Sequence, residues 1–302
     1  MMRRTLAPNF LVVGAPKCGT TSLYYYLAQH PEIYLPPQKE LHYFSYEMLK
    51  ANAKGPGDAE ILKEICQTWD QYTSYYQQAK SQAAMGDISP SYLYYGVQKK
   101  ILEKLGLVKI IMILRNPIEK AYSQYMHLVR DQRENLDFYE ALQQEKNRRD
   151  NGWSDIWRYA ESSLYAERVK GFLDCFGADR VHVVFFEDFV RQTREEVKKI
   201  LLFLKVNPDT VINTNEIFNR TGESRSKLVS NILGSPSALK SIFKAVIPPR
   251  LRMRMRLRLM DANTAPKKEM DSRSKNYLQE YFKADILKLE SILKRRTGWL
   301  NS

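Results

Sequence analysis

Two glycines and a run of hydroxyl side chains lie close together near the start of the sequence, in the segment GAPKCGTTS from Gly14 to Ser22. A short apolar run precedes Gly14, and a stretch suited to a helix follows. A glycine-containing loop between a strand and a helix presents backbone N–H groups and the positive end of the helix dipole to a ligand. The hydroxyls of Thr20 and Thr21 add donors to the same loop. The segment therefore predicts an anion-binding site.

The position of the lysine distinguishes this loop from the usual ATP-binding loop. In G-x-x-x-x-G-K-[ST] a lysine follows the second glycine, whereas here Thr20 stands there and Lys17 lies in the middle of the loop. ATP-using enzymes also need a carboxylate at a strand end to hold magnesium, but the apolar run 107–114 is followed by Arg115. Fixed positive charge in place of metal ligands suits a nucleotide that transfers a less charged group, such as a sulfuryl group. A P-loop kinase or NTPase is the alternative.

Two longer segments, VVGAPKCGTTSL and, about a hundred residues later, MILRNPIEKAYSQY, resemble those of a known family. They are similar to the phosphate-binding segments of sulfotransferases that use 3′-phosphoadenosine 5′-phosphosulfate (PAPS), above all the bacterial and carbohydrate-type, heparan sulfate sulfotransferase-like, branches. Weaker similarity lies in KELHYF at 39–44 and GDISPSYLY at 86–94. The resemblance implies an α/β, P-loop-like three-layer fold with a central parallel sheet flanked by helices. It also implies PAPS as co-substrate and no metal.

The resemblance further implies which residues bind PAPS. The residues expected to bind the 5′-phosphosulfate form the loop after the first strand: Lys17, Cys18, Gly19, Thr20, Thr21 and Ser22. Lys17 would in addition stabilise charge on the bridging and leaving oxygens, and Arg115 and Ser123 would bind the 3′-phosphate. A later segment, NRTGESRSK, resembles the loop that closes over the nucleotide, and its expected phosphate contacts are Arg220 and Arg225.

The role of Arg115 has independent support from its place in the sequence. It follows a run that is typical of a buried strand, and Asn116 and Pro117 after it can cap and begin a helix. Ligands of open α/β sheets bind at the carboxyl ends of the strands. The planar guanidinium group also matches a phosphate in shape and charge. The alternative is a surface arginine paired with a nearby carboxylate.

The segment PPQKELHYF offers two candidates for the base that sulfuryl transfer to an alcohol or amine requires. Glu40 and His42 are two residues apart, so on a strand both side chains would point to the same face. The resemblance favours Glu40, because a glutamate in an E-x-H-F-like stretch is the base of carbohydrate-type enzymes. A histidine has this role in cytosolic small-molecule enzymes, in different sequence surroundings. In a third possibility neither residue acts and Glu40 only pairs with Lys39.

One departure from the family concerns a second lysine, which many carbohydrate sulfotransferases carry in an E-K-[ST]-P-x-Y segment. The corresponding stretch here, DISPSYL, has Ile88 at that place. Either the site functions with Lys17 alone, or another cation such as Lys39 takes the role. Asp87 in the same stretch either contacts the acceptor or caps a turn at Ser89–Pro90.

Buried parallel strands and crossover helices must position these residues. Apolar runs predict strands at 9–14, 107–114 and 181–186. The predicted helices are 20–29, one that begins at Pro117, one that carries Tyr165 to Phe176, one that carries Val197 to Leu204, and 273–296 capped by Asp271 or Ser272. Strands that alternate with helices favour a parallel sheet. A single domain, residues 1–302, is the simplest organisation, because no linker or repeat is visible.

Composition limits the class of protein and its compartment. Of 302 residues, 44% are hydrophobic and 27% charged, as in ordinary soluble globular proteins. Three isolated cysteines fit a reducing compartment rather than a disulfide framework or a zinc site. No apolar run is as long as a membrane span, and the first strand leaves no room for a signal peptide. We therefore expect a cytoplasmic protein.

The partners are less sharply defined by the sequence. A net charge of +13 favours anionic partners, and residues 240–258 carry seven basic and no acidic side chains. That segment is either a solvated face or a contact to an anionic surface. The acceptor is a glycan, a lipid or a small molecule, and clustered tyrosines suit rings or sugars, although most would lie in the core. We expect no nucleic-acid partner. In the third class considered, a nucleic-acid- or membrane-binding module, binding would fall steeply with salt.

Overall fold

The computed structural model describes residues 6–80, 82–215 and 269–301. The predictions for Arg220, Arg225 and residues 240–258 lie outside these ranges. The other predicted site residues, from the loop after the first strand to Ser123, all lie inside them.

A central parallel sheet organises the described residues. Its strands are β1 (Phe10–Gly14), β2 (Ile33–Tyr34), β3 (Ala84–Ile88), β4 (Lys109–Leu114) and β5 (Val181–Phe185). They are ordered β2-β3-β1-β4-β5, and each pair of neighbours is parallel. β1 and β4 are almost wholly buried, which explains why their sequences, FLVVG and KIIMIL, are near-continuous apolar runs.

Helices flank this sheet and connect its strands. The helices before β4 are α1 (Thr20–Leu27), α2 (Tyr46–Ala51), α3 (Asp58–Leu62), α4 (Trp69–Ser74), α5 (Ser91–Tyr95) and α6 (Gln98–Leu105). Those after it are α7 (Pro117–Arg130), α8 (Phe138–Gln143), α9 (Glu145–Asp150), α10 (Ala166–Phe176), α11 (Phe186–Arg191), α12 (Thr193–Leu204) and α13 (Ser272–Leu293). The predicted α/β fold with a central parallel sheet is confirmed. No described helix has the length and apolar character that crossing a bilayer requires.

The direction of strand addition changes at β1. From β1 the chain builds β2 and β3 on one side, and then crosses to β4 on the other side. The loop after β1 and the residue after β4 therefore leave neighbouring strands at the same edge of the sheet. A crevice at such a point is the usual ligand site of an open α/β sheet.

The predicted elements agree with the structure to within three residues at their ends. The cap of α13 is Asp271, whose Oδ1 accepts the N–H of Ser274 at 2.8 Å. β2 and β3 were not predicted. β2 has two residues, and β3 (AMGDI) lacks an apolar run because Gly86 and Asp87 interrupt it. Gly86 lies under the ring of Phe10, where an added Cβ would come within 2.1 Å of the ring.

Candidate active site

The loop between β1 and α1 forms a cradle of backbone amides. Lys17 and Gly19 take left-handed conformations, with φ of 64° and 83°, and Gly19 is the N-cap residue of α1. No described side chain caps this helix, and its first turn holds no acidic residue, so the positive end of the dipole is available to an anion. Thr20, Thr21 and Ser22 line the same cleft.

α7 begins beside this loop. Its cap is Asn116, whose side chain accepts the N–H of Ile118 at 3.0 Å, and Pro117 occupies the first helical position, as predicted. Ser123 lies on the second turn, is fully buried and lines the cleft. The helix start thus places Ser123 next to the amide loop.

Arg115, just before that cap, is held on three sides. It donates to the carbonyl of Lys17 at 3.4 Å, pairs with Glu119 at 3.4 Å, and its guanidinium carbon lies 4.8 Å from the centre of the Phe186 ring. Its side chain lines the cleft and is 15% exposed. Arg115 therefore pairs with a carboxylate, that of Glu119, as in the alternative interpretation. It also lies beside the amide loop, as the ligand-binding interpretation predicted.

The segment that holds Glu40 and His42 is not a strand. It is an irregular stretch that leads into a 3₁₀ helix at Tyr43–Ser45, and both residues have left-handed backbones, with φ of 61° and 52°. The premise of strand alternation was therefore wrong, yet both side chains line the same cleft. His42 Nε2 lies 3.6 Å from Glu40 Oε2.

Lys39 connects this segment to the amide loop. Its Nζ lies 2.6 Å from Glu40 Oε1 and donates to Thr21 Oγ1 at 2.6 Å. A second ammonium group is thus present although Ile88 stands where many relatives have lysine. Burial alone would raise the pKa of Glu40, but Lys39 and His42 outweigh it and hold that pKa below its usual range. Glu40 is consequently ionised.

A family model described as the sulfotransferase family matches residues 8–209, which contain the amide loop, the Glu40 segment and α7. The chain belongs to the sulfotransferase family. The crystal structure of a sulfotransferase from Alicyclobacillus acidocaldarius is 31% identical and superimposes with a TM-score of 0.79, covering 98% of this chain and 100% of that chain. These matches confirm the family and the fold that the sequence predicted.

More distant relatives match parts of this sulfotransferase. Mouse sulfotransferase SULT7A1, solved in complex with PAP, has a TM-score of 0.52 at 15% identity, covers 92% of this chain and 84% of that chain, and shares the fold. Human heparan sulfate glucosamine 3-O-sulfotransferase 5 is 24% identical over 219 residues, 71% of this chain and 58% of that enzyme. The matched regions span between 22% and 58% of the length of the curated relatives.

Two residues of α7 that the sequence reasoning missed also line the cleft of this sulfotransferase, His127 and Arg130. They follow Ser123 by one and two helical turns, and this spacing on a predicted helix could have identified them. Arg130 donates to His127 Nδ1 at 2.6 Å and pairs with Asp131 at 3.0 Å. Burial, followed by the charge of Lys17, lowers the pKa of His127 well below its usual value, so the ring is neutral at neutral pH.

Lys17 is half-buried among these cations. Burial, then Arg130 and to a lesser extent Arg115, lowers the pKa of Lys17 to about 7, while Asp131 and Glu40 act in the opposite direction. An ammonium group in such surroundings gains more from a bound anion than an exposed lysine would, because the anion supplies the missing opposite charge.

A chain of hydroxyl groups holds His42. The backbone N–H of His42 donates to Ser89 Oγ at 3.0 Å, and the Ser89 hydroxyl in turn donates to the buried carboxylate of Asp87 at 2.7 Å. His42 Nδ1 lies 2.6 Å from Ser91 Oγ. Burial raises the pKa of Asp87, which is absent from the described lining of the cleft. Of the two roles considered for Asp87, the structure supports the one at the Ser89 turn.

Cys18 differs from the rest of the amide loop. Its side chain is fully buried, and its Sγ lies 3.4 Å from the carbonyl of Pro16. Burial raises the pKa of the thiol to about 11. Its side chain therefore does not reach the cleft, and the predicted contact of Cys18 with a nucleotide can come from its backbone alone.

The tyrosines divide between core and cleft. The tyrosine clusters lie at 23–27, 71–76 and 91–95. Tyr72, Tyr76 and Tyr92 are fully buried, as expected for most of these side chains, whereas Tyr25 lines the cleft. The cleft has a volume of about 730 Å³, in the range of sites for small molecules. Among the described residues, no group of three or more His, Cys, Asp or Glu side chains is arranged to hold a metal ion.

Proposed function

We propose that this sulfotransferase transfers the sulfuryl group of PAPS to an acceptor hydroxyl or amine, with Glu40 as the general base and without a metal. One observation supports this above the others: the amide loop, Lys17, Lys39 and Glu40 lie together in one cleft. Mouse SULT7A1, which shares the fold, was solved with PAP, adenosine 3′,5′-bisphosphate, the product that PAPS leaves after transfer.

The charges of the cleft fit this nucleotide. Among the described residues, the cations that line it are Lys17, Lys39, Arg115 and Arg130. Arg115 and Ser123 would hold the 3′-phosphate, and the amide loop with Thr20 to Ser22 would hold the 5′-phosphosulfate. When bound, PAPS supplies an activated sulfuryl group, and the chain supplies the charges around it.

Two lysines would stabilise negative charge as the sulfuryl group leaves the nucleotide. Lys17 lies within the amide loop, where a bound anion would raise its pKa and keep its ammonium group protonated. Lys39, hydrogen-bonded to Thr21, would be the second cation that many relatives place where this chain has Ile88. Fixed cations of this kind stabilise charge without reorganisation during the reaction.

Glu40 would accept the proton of the acceptor as the new S–O or S–N bond forms. It is ionised in the cleft, and its side chain is 41% exposed, so an acceptor can reach it. His42 would orient Glu40 from 3.6 Å, since Ser89 and Ser91 fix its backbone and ring. The low pKa of Glu40 makes it a weak base until the charge of Lys39 is shared with a bound anion.

The direct test is thermal unfolding with PAP in the presence of a metal chelator. We expect PAP to raise the melting temperature, because a ligand that binds only the folded state stabilises it. The absence of any shift would refute the nucleotide assignment. Sulfur-labelled PAPS with fractionated host extract then identifies the acceptor. Turnover of ATP that requires magnesium, with no transfer from PAPS, would favour the kinase or NTPase alternative.

A further inference from the structure

Asp155 is a buried carboxylate that lines the cleft and has no role in the proposed reaction. It begins a 3₁₀ turn, Asp155–Trp157, and is 9% exposed. Tyr95 donates its hydroxyl to Asp155 Oδ1 at 2.9 Å. The other carboxylate oxygen accepts no hydrogen bond from any described residue, and within the described ranges no cation lies within ion-pair distance.

A carboxylate in this position costs free energy unless something compensates it. Burial disfavours its charged form, and buried acids are normally paired or fully hydrogen-bonded. Burial accordingly raises the pKa of Asp155. An incompletely satisfied acid in a cleft is a frequent mark of a ligand contact.

The surrounding structure fixes Asp155 firmly. Gln124, next to Ser123 on α7, donates to the carbonyls of Asp155 and Ile156 at 3.1 and 3.0 Å. The preceding residue, Ser154, is held through its N–H and hydroxyl by the carboxylate of Asp58 at 3.0 and 2.8 Å. Asp155, which lines the cleft, is thus held on a rigid support, as a preorganised binding group requires.

Asp155 lines the same cleft as Glu40 and His42, and α5 connects it to the His42 side of that cleft. The two α5 residues that hold Asp155 and His42 are one helical turn apart: Tyr95 donates to Asp155, and Ser91 Oγ lies 2.6 Å from His42 Nδ1. The aromatic Phe186, by contrast, stacks on Arg115 at the nucleotide side. Aliphatic side chains complete the lining near the Asp155 turn: Ile156, Ile61, Ile65 and Leu49.

We propose that Asp155 binds a second hydroxyl group of the acceptor, and that the acceptor is an uncharged, hydroxylated molecule with an apolar portion, such as a neutral alkyl glycoside. This inference rests on the proposed function. The carboxylate would accept the hydroxyl hydrogen, and the aliphatic wall would cover the apolar portion. Glu64, an exposed carboxylate, lines the same cleft and disfavours an anionic group of the acceptor beside it.

The test measures binding of octyl β-D-glucopyranoside, below its micellar concentration, by calorimetry with and without saturating PAP. In Asp155→Asn the amide oxygen would accept from Tyr95, so the amino group would face the cleft as a donor where an acceptor is needed. We expect glycoside affinity to fall at least tenfold and PAP affinity to change less than twofold. Glu60→Gln removes an exposed carboxylate that is absent from the described lining of the cleft, so it is the control and should change glycoside affinity less than twofold.

Three results would overturn the inference. They are no binding of the glycoside by the wild-type protein, unchanged glycoside affinity in a folded Asp155→Asn protein, and tighter binding of a heparan sulfate oligosaccharide than of the glycoside. Comparison of glycoside and oligosaccharide binding by the wild-type protein tests the proposed acceptor class even where Asp155→Asn does not fold. Failure of PAP binding would instead refute the nucleotide assignment, and glycoside binding without PAP would still report on Asp155.

Discussion

At the scale of single residues, the pKa of Lys17 connects the cleft to the pH of the solution. It lies near 7, so the ammonium group is charged below about pH 7 and increasingly neutral above it. A bound dianion raises that pKa, so binding above pH 7 must be accompanied by uptake of a proton. We expect the PAP dissociation constant to be nearly constant just below pH 7 and to rise by up to about tenfold per pH unit above it. Calorimetry between pH 6.5 and 9 measures this.

Lys17→Arg is the control for this pH dependence. A guanidinium group keeps its charge throughout the range, so the rise above pH 7 should disappear even if affinity falls. An unchanged pH profile in Lys17→Arg would show that another group, such as a phosphate of PAP, is responsible.

Glu40→Gln should separate chemistry from binding. The amide has the shape of the carboxylate but cannot take up the acceptor proton, so we expect kcat to fall by roughly 10²- to 10⁴-fold. PAP affinity should stay the same or improve, because a negative charge leaves a site for an anion. Steady-state kinetics and PAP calorimetry check the two effects. If His42→Ala abolishes turnover and Glu40→Gln does not, the histidine is the base.

Lys39 should control the acid limb of the pH–rate profile. It is the main group that lowers the pKa of Glu40, so Lys39→Ala should raise that pKa toward or above the ordinary glutamate value of about 4.3. The carboxylate is then protonated, and activity lost, at a higher pH than in the wild type. The measurement is kcat/KM against pH on the acid side. An acid limb that does not move would mean that Glu40 and Lys39 are not coupled during turnover.

At the scale of elements, one buried carboxylate joins the start of α3 to the turn that carries Asp155. Asp58 is 2% exposed and accepts from Arg133 at 2.6 Å, from Trp157 at 3.0 Å and from Ser154. Asp58→Asn removes the charge and leaves Arg133 without its partner, which we expect to cost about 3–5 kcal/mol of unfolding free energy.

Chemical denaturation of Asp58→Asn measures this cost. Asp174→Asn, which removes an exposed carboxylate from an exposed pair with Lys170, is the control and should leave stability almost unchanged. Similar effects of the two substitutions would show that the Asp58 network is not a structural junction.

The elements that the sequence predicted are those with strong local signals. β1, β4 and β5 are apolar runs, and the start of α7 carries the Asn116–Pro117 cap. β3 gave no such signal, because Asp87 interrupts its apolar residues. The strand can bury this carboxylate since hydroxyl groups of Tyr72 and Tyr92, from other elements, donate to it. Compensation of that kind depends on the tertiary fold and is invisible in a local pattern.

The site shows the same division between local and tertiary information. The amide loop and the position of Arg115 follow from residue types next to strand ends, so the sequence predicted them. The left-handed backbones of Glu40 and His42 are not set by residue type, since neither is glycine, and the strand assumption failed there. Asp155 lines the cleft on a turn that Gln124 and Asp58 hold, and these contacts join segments far apart in sequence.

At the scale of the whole molecule, a net charge of +13 and a cleft lined by several cations should attract the nucleotide over distance. Fixed charges of one sign in a cleft raise the association rate of a ligand of the opposite charge by about 10- to 10³-fold, and salt screens this attraction. We expect the association rate of PAP, measured by stopped-flow fluorescence, to fall at least about tenfold from low to high ionic strength, while the dissociation rate changes less. Adenosine, which carries no phosphate, is the matched control. Equal salt dependence for both ligands would mean that the charges act by contact alone.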